Sequence, residues 1–147
     1  GKSISKTYLC LLFANKPRFL DTGEVVPPSE VLALVNHQHR HHIFPQSQLR
    51  RLQVRDNRIH CLANICLLCG SENQSISNEL PYEYLEKLRG RGFAGTMKSH
   101  LIPHDRSTGL WNEDIEEAYP TFLEARSDLI ISEFERRTGL KNLFKED

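Results

Sequence analysis

The chain has 147 residues, of which 39% are hydrophobic and 26% charged, and its formal net charge is zero. These values exclude a disordered protein and suit a single domain with one core. No apolar run is long enough to cross a membrane and no signal peptide opens the chain.

The zero net charge argues against nucleic-acid binding through bulk charge, but the charges are unevenly distributed. A first basic region surrounds Asp56 and comprises Arg40, Arg50, Arg51, Arg55 and Arg58. A second surrounds Asp105 and comprises Lys87, Arg89, Arg91, Lys98 and Arg106, whereas acids dominate from Trp111 onward. This distribution is compatible with a phosphate-binding face on one side of the molecule, or with ordinary solvated surface charge.

Two helices are predicted in the N-terminal third, separated by a turn at residues 21–23 and an extended linker at residues 25–28. Apolar residues recur on one broad face of residues 4–14, and Pro17 ends the pattern. Ser29 is the candidate N-cap of a short helix that reaches Leu34. Because the chain opens on Gly1 and continues directly into this helical pattern, we expect a domain excised from a longer protein, with other domains preceding it.

Two short strands are predicted in the middle of the chain, at residues 36–41 and 65–68. The first ends in the adjacent pair His41 and His42, whose side chains point to opposite faces of an extended strand. One imidazole can then hold a metal while the other acts as a base. His37 and His39 share the face of His41, which leaves His39 as an alternative metal ligand and His37 as a solvent-facing residue.

Polar residues between and after the strands indicate turns and short helices. Ser47 is predicted to cap a helix through Leu52, and Asp56-Asn57 to form a turn before the second strand. Gly70-Ser71 then resembles a strand-to-helix turn, with Asn73 in the first turn of the helix. His41, His42, Asn64 and Asn73 would converge on one pocket.

The C-terminal half is predicted to be helical as well. Pro81 suits the first position of a helix through Leu88, and residues 90–95 form a glycine-rich basic linker. The cluster around His100 and His104 favours a structural role or a phosphate contact over metal binding. A long helix from Glu113 ends at Gly139.

The four cysteines suit a reducing compartment. Cys66 and Cys69 have the spacing of a zinc-binding pair, but a second pair is missing and Cys66 falls within the second strand. A buried thiol is therefore preferred over zinc binding, which is retained as the alternative.

The pattern His-His-Ile-Phe-Pro-x-Ser at residues 41–47, followed by Asn64 and Asn73, resembles the HNH (ββα-metal) nuclease motif. More narrowly, it is similar to the C-terminal nuclease domain of GmrSD-like restriction and phage-defence proteins. The likeness extends to residues 11–19, to His100-Leu101-Ile102-Pro103 and to Phe122-Leu123-x-x-Arg126. It implies an α+β fold, a mostly helical domain spanning residues 1–147 around a ββα-metal core at about residues 36–80.

The resemblance also implies a role for each motif residue. His41 matches the first metal ligand, which is often Asp in relatives, and Asn73 the final ligand. His42 matches the general base. Asn64 matches the residue that braces the loop carrying this base. The implied cofactor is a divalent metal, with Mg²⁺ most expected in use and Mn²⁺, Ni²⁺ or Zn²⁺ as alternatives.

The implied function is a bacterial, cytoplasmic endonuclease that nicks DNA and serves as the effector of a restriction or antiviral defence protein. Its partners would be the DNA phosphate backbone and a nucleotide-hydrolysing sensor domain on the N-terminal side. Candidate substrate contacts are Arg40, Arg50, Arg51 and His100. The alternatives are an RNA-directed nuclease, a catalytically decayed nucleic-acid-binding module and, last, a structural zinc ribbon.

Overall fold

The computed structural model describes residues 2–33, 40–67, 76 and 78–142. Within these ranges the fold is α+β and mostly helical, with one small antiparallel sheet. The helices are α1 (Lys2–Ala14), α2 (Pro28–Ala33), α3 (Gln46–Arg51), α4 (Asp56–Ile59), α5 (Pro81–Lys87), α6 (Phe93–Ser99) and α7 (Ile115–Thr138). The strands are β1 (Arg40–His42) and β2 (Ile65–Leu67), and 3-10 turns occur at Leu62–Asn64 and Arg106–Thr108.

The two strands pair in an antiparallel register that sets His41 opposite Cys66 and His42 opposite Ile65. Both predicted strands are confirmed where they are described, except that β1 extends one residue further and includes His42. Residues 36–39 and Leu68 lie outside the described ranges. The sheet therefore places both histidines of the motif inside a hydrogen-bonded strand.

Between the strands, two predicted boundaries are wrong. Helix α3 begins at Gln46 with Pro45 as the preceding cap residue, so Ser47 lies inside the helix and its hydroxyl donates to Asn78 Oδ1 at 2.7 Å. Asp56 opens the one-turn helix α4, so the predicted turn is helical. The loop from β1 to β2 is thus built from two short helices.

The main core lies between the sheet, the short helices and the first half of α7. The Phe44 ring is central, with ring centroids 5.2 Å from both Tyr119 and Phe122. Leu49, Ile59, Leu85 and Met97 are almost completely buried around it. Burial of a large apolar side chain contributes about 1.5–3 kcal/mol, so this cluster is the main source of stability.

A second, smaller core cluster joins α1 to the rest of the domain. It contains Tyr8, Leu12, Phe19 and Val26, with Leu62 and Ile130 packed against it. The predicted apolar face of the first helix is confirmed by the burial of Tyr8 and Leu12. The predicted cap at Ser29 is wrong, since α2 begins at Pro28 and Ser29 lies inside the helix.

In the C-terminal half, the helix from Pro81 is confirmed, with Tyr84 and Leu85 buried. The predicted linker at residues 90–95 is wrong in part, because α6 begins at Phe93 and buries Met97 completely. Gly139 has a φ of 72° and ends α7, as predicted. No helix in the described ranges has the length and apolarity needed to cross a bilayer.

Candidate functional site

The adjacent histidines of β1 occupy different surroundings. His41 is 4% exposed, and its ring lies edge-on to Tyr84 with centroids 5.4 Å apart. His42 is half-buried and its ring faces His60, with centroids 5.1 Å apart. Because a strand alternates its side chains, this separation follows directly from the sequence. The predicted division of the pair between two faces is confirmed, whereas the metal and base roles stay predictions.

The loop that follows His42 is fixed by bonds to its backbone. The Ile43 amide donates to the Asn64 carbonyl at 2.8 Å, and the Tyr84 hydroxyl donates to the Ile43 carbonyl at 2.9 Å. The Phe44 amide donates to Asn64 Oδ1 at 2.8 Å. Each of these partners is buried, where a hydrogen bond is costly to lose. The backbone that follows His42 is therefore held by both Asn64 and Tyr84.

Both polar atoms of the Asn64 side chain hold the loop that follows His42. Besides accepting from Phe44, its Nδ2 donates to the Phe44 carbonyl at 3.2 Å and to the Ile59 carbonyl at 3.0 Å. The side chain is completely buried at the end of a 3-10 turn, and it joins the loop after β1 to the end of α4. This is the bracing position that the resemblance implies for Asn64. Its contribution to catalysis stays a prediction.

Both ring nitrogens of His42 contact other side chains. Gln46 Nε2 lies 3.1 Å from Nδ1, and His60 Nδ1 lies 3.0 Å from Nε2. Gln46 belongs to the first turn of α3, and His60 directly follows α4. The two short helices therefore place one polar group on each nitrogen of the candidate base.

This arrangement has a chemical consequence for His42. A base that takes a proton from water must direct a ring nitrogen's lone pair at that water. Here a water can reach Nε2 only by displacing His60, and Nδ1 only by displacing Gln46. His60 is exposed whereas Gln46 is half-buried, so the His60 side is the easier one to open.

A basic rim is formed by exposed arginines on the two short helices that carry or adjoin the partners of His42. Arg50 and Arg51 are exposed at the end of α3, and Arg55 and Arg58 are exposed at α4. Arg50 approaches Asp56 at 3.9 Å, a surface ion pair of little energetic weight. The Arg40 side chain lies outside what the structure describes. The two predicted substrate arginines, Arg50 and Arg51, are thus accessible on α3, the helix that also carries Gln46.

Two of the five basic residues of the second region, Lys87 and Arg89, pair with acids other than Asp105. Lys87 pairs with Glu79 at 2.8 Å, and Arg89 pairs with Glu86 at 3.2 Å and lies over the Trp111 ring. The rim around α3 and α4 is therefore the better candidate for a phosphate-binding surface.

His100 has a structural position. It is completely buried, and its Nε2 donates to the Arg18 carbonyl at 2.6 Å. Burial and the nearby Arg126 charge lower the pKa of His100 to about 4, which keeps the ring neutral at physiological pH. A buried, neutral imidazole is not placed to contact a phosphate. The predicted substrate contact by His100 is therefore replaced by a role in the fold.

The candidate metal ligands are described only in part. His41 is buried in β1, and Asn73 lies outside the described residues. Across the described ranges, no cluster of three or more His, Cys, Asp or Glu is arranged to hold a metal. Cys66 is 1% exposed, and burial raises the pKa of its thiol to about 12, as expected for a buried thiol. Cys69, its proposed partner in zinc binding, is also outside the described ranges.

Sequence reasoning did not identify His60, Gln46 or the hydroxyl of Tyr84 as parts of the site. Gln46 lies within the motif, is the first residue of α3 and was detectable as a polar residue next to Pro45. His60 carries no such signal, because its contact with His42 depends on the packing of α4. Tyr84 was predicted only as an inward-facing residue of α5.

No protein-family model, curated protein or solved structure matches the chain. Its function must therefore be inferred from its own residues and their geometry.

Proposed function

We propose that the chain is a metal-dependent HNH endonuclease domain that hydrolyses phosphodiester bonds in DNA, with residues 36–80 forming its ββα-metal core. The observation that supports this most strongly is the Asn64 brace. A fully buried asparagine holds the loop after His42 through both of its amide atoms, at the spacing of the nuclease motif.

His42 is the general base in this proposal. It lies on the more accessible face of β1, and the Ile43 and Phe44 backbone beside it is fixed by Asn64 and Tyr84. Because the base is already oriented, no further free energy is needed to orient it in the transition state. Gln46 and His60 hold the ring until substrate water replaces one of them.

His41 and Asn73 are the proposed ligands of a divalent metal, which would supply a positive charge to stabilise the leaving oxygen. Two neutral ligands hold Mg²⁺ weakly until a phosphate oxygen adds charge, so metal and substrate should bind together. Mn²⁺, Ni²⁺ and Zn²⁺ are the alternatives.

The substrate is proposed to contact the exposed arginines of α3 and α4. Arg50 and Arg51 face solvent on α3, the helix that also carries Gln46, and Arg40 immediately precedes His41. Arginine pairs with phosphate in a bidentate manner and carries no base specificity in that contact. A single catalytic centre is expected to nick duplex DNA. By resemblance, we place the domain in a bacterial restriction or antiviral defence protein, beside an N-terminal nucleotide-hydrolysing domain.

A plasmid-nicking assay with added Mg²⁺ or Mn²⁺ tests the proposal. The wild-type chain should convert supercoiled DNA to open circles, and His42→Ala should lose at least about 100-fold in rate, the low end of what a general base contributes. DNA affinity should remain, because the base acts in the chemical step.

His104→Ala is the matched control, since it removes an imidazole outside this site. Cleavage of RNA but not DNA would redirect the proposal to an RNA nuclease. DNA binding without metal-dependent cleavage would indicate a binding module on a nuclease scaffold.

A further inference from the structure

The ring nitrogens of His42 and His60 lie close enough together to bind the same metal ion. His42 Nε2 and His60 Nδ1 face each other at 3.0 Å, and the two rings are inclined by 75°. Both nitrogens are good ligands for borderline metal ions when they are not protonated. At this distance one of the two nitrogens carries the proton of a hydrogen bond, and once that proton is released the two imidazoles can supply two of the four ligands of a tetrahedral shell.

The distance between the nitrogens is close to that required. Zinc binds imidazole nitrogen at about 2.0–2.1 Å, so two nitrogens in a tetrahedral shell lie about 3.3 Å apart. The observed separation differs from this by a few tenths of an ångström. Because His60 is exposed, a small rotation of its side chain makes the adjustment without disturbing the core.

Gln46 completes the arrangement as an outer partner. It contacts Nδ1 of His42, the nitrogen that carries the proton when Nε2 binds a metal. A 180° flip of the Gln46 amide keeps its shape and presents Oε1 to this N–H. Metal-binding histidines usually donate their second nitrogen to such a group.

We propose that His42 and His60 form a two-histidine site for a borderline transition-metal ion such as Zn²⁺, with water in the remaining positions. This site is distinct from the magnesium site proposed on His41 and Asn73. Mg²⁺ prefers oxygen ligands and is not expected to bind it.

Zn²⁺ titration by calorimetry tests the site on the full chain. The sequence contains 7 histidines, so the site is identified by comparing variants and not by counting bound ions. In His60→Ala, one Zn²⁺-binding step should weaken at least about tenfold, since even the loss of an outer-sphere partner of a metal ligand costs about 10–100-fold in affinity. His104→Ala and Asn73→Ala should retain that step. Identical isotherms for the wild type and His60→Ala would overturn the proposal.

A second measurement needs no substitution at His60. Zn²⁺ should shift the ring ¹⁵N signals of His42 and His60 together in the wild-type chain. Signals of His60 that stay unchanged at saturating Zn²⁺ would also overturn the proposal.

The site has a consequence for cleavage that rests on the proposed function. Zn²⁺ bound at Nε2 of His42 would occupy the lone pair that the base needs, so Zn²⁺ should inhibit Mg²⁺-supported nicking. His60→Ala should need at least about tenfold more Zn²⁺ for the same inhibition. If the wild-type chain cleaves no DNA at all, the proposed function fails, whereas the calorimetric comparison still decides whether the metal site exists.

Discussion

At the scale of single residues, one buried asparagine holds the backbone that follows the candidate base. Asn64 Oδ1 accepts from the Phe44 amide, and Nδ2 donates to the Phe44 and Ile59 carbonyls. All of these groups are shielded from water, so no solvent molecule can replace the asparagine as their partner.

The Asn64 brace predicts a large loss of stability in Asn64→Ala. The substitution leaves the Phe44 amide and the Phe44 and Ile59 carbonyls without their side-chain partner in a buried region. Each unsatisfied group costs about 1–3 kcal/mol, so a total loss of about 3 kcal/mol or more is expected in urea unfolding. Asn57→Ala on exposed α4 is the control and should change stability by less than about 0.5 kcal/mol. Equal effects of the two substitutions would contradict the brace.

The opposite orientations of His41 and His42 could be predicted from the sequence, because they follow from the period of a strand and need no tertiary information. The Asn64 brace was foreseen because its spacing matches a motif. His60 was not foreseen, because it lies 18 residues from His42 and contacts it only through the packing of α4.

At the scale of elements, the presence of helices and strands was predicted more accurately than the residues at which they begin and end. The α3 start differs because Pro45 takes the cap position, where its fixed φ suits the extended conformation, so that no serine cap is needed. Helix α6 was missed because its glycines suggest a linker. Burial of Met97 stabilises it, and that burial depends on distant residues of the core.

The junction between the Arg106–Thr108 turn and α7 depends on Gly109. Its φ is 80°, and an added Cβ would lie 2.4 Å from the Ala118 carbonyl oxygen and 3.0 Å from the Phe122 nitrogen. Gly109→Ala therefore combines left-handed backbone strain with a clash against helix backbone, and should cost roughly 2–5 kcal/mol.

Gly92→Ala is the matched comparison, because Gly92 has a φ of 92° but no atom within 4 Å of the added Cβ. It should cost only the backbone strain of about 1–2 kcal/mol. Thermal unfolding of both variants separates the two contributions. A Gly109→Ala variant as stable as Gly92→Ala would show that α7 can move away from the turn.

At the scale of the whole molecule, Arg126 connects parts that are far apart in sequence. The side chain is completely buried in α7. Its guanidinium donates to the Ala63 carbonyl at 2.9 Å, the Tyr8 hydroxyl at 2.9 Å and the His100 carbonyl at 3.1 Å. In the described part of the chain no carboxylate pairs with it. A charged residue in a helical pattern is expected to be exposed. The burial of Arg126 could therefore not be foreseen from charge patterning.

Arg126→Ala should be among the most damaging substitutions in the protein. It removes the donors of several buried carbonyls at once, and one of these, Ala63, immediately precedes Asn64. A loss of about 3–5 kcal/mol is expected, similar to breaking a buried polar network elsewhere. Arg106→Ala, an exposed arginine, should change stability by less than about 0.5 kcal/mol. If Arg126→Ala changed stability as little as Arg106→Ala, the hydrogen bonds of Arg126 to Ala63, Tyr8 and His100 would not be what holds these segments together.

The same network makes the stability of the domain depend on pH through His100. The pKa of this imidazole is lowered from 6.5 to about 4, first by burial and then by the Arg126 charge. Above pH 6.5 the ring is neutral in both the folded and the unfolded state, so its contribution to stability is constant. Between pH 6.5 and 4 the imidazole binds a proton in the unfolded state but not in the folded state. The free energy of unfolding therefore falls as the pH is lowered.

The size of this effect is set by the difference of about 2.5 pKa units, which corresponds to about 3 kcal/mol lost by pH 4. Carboxylates also titrate near the lower end of this window, so the measurement is a difference between two chains. In His100→Gln, an amide can still donate to the Arg18 carbonyl but does not titrate. The free energy of unfolding, measured by urea at pH 7, 6, 5 and 4, should fall more steeply for the wild type than for His100→Gln. Parallel curves for the two chains would mean that His100 binds its proton equally in both states, and that neither burial nor the charge of Arg126 lowers its pKa in the folded chain.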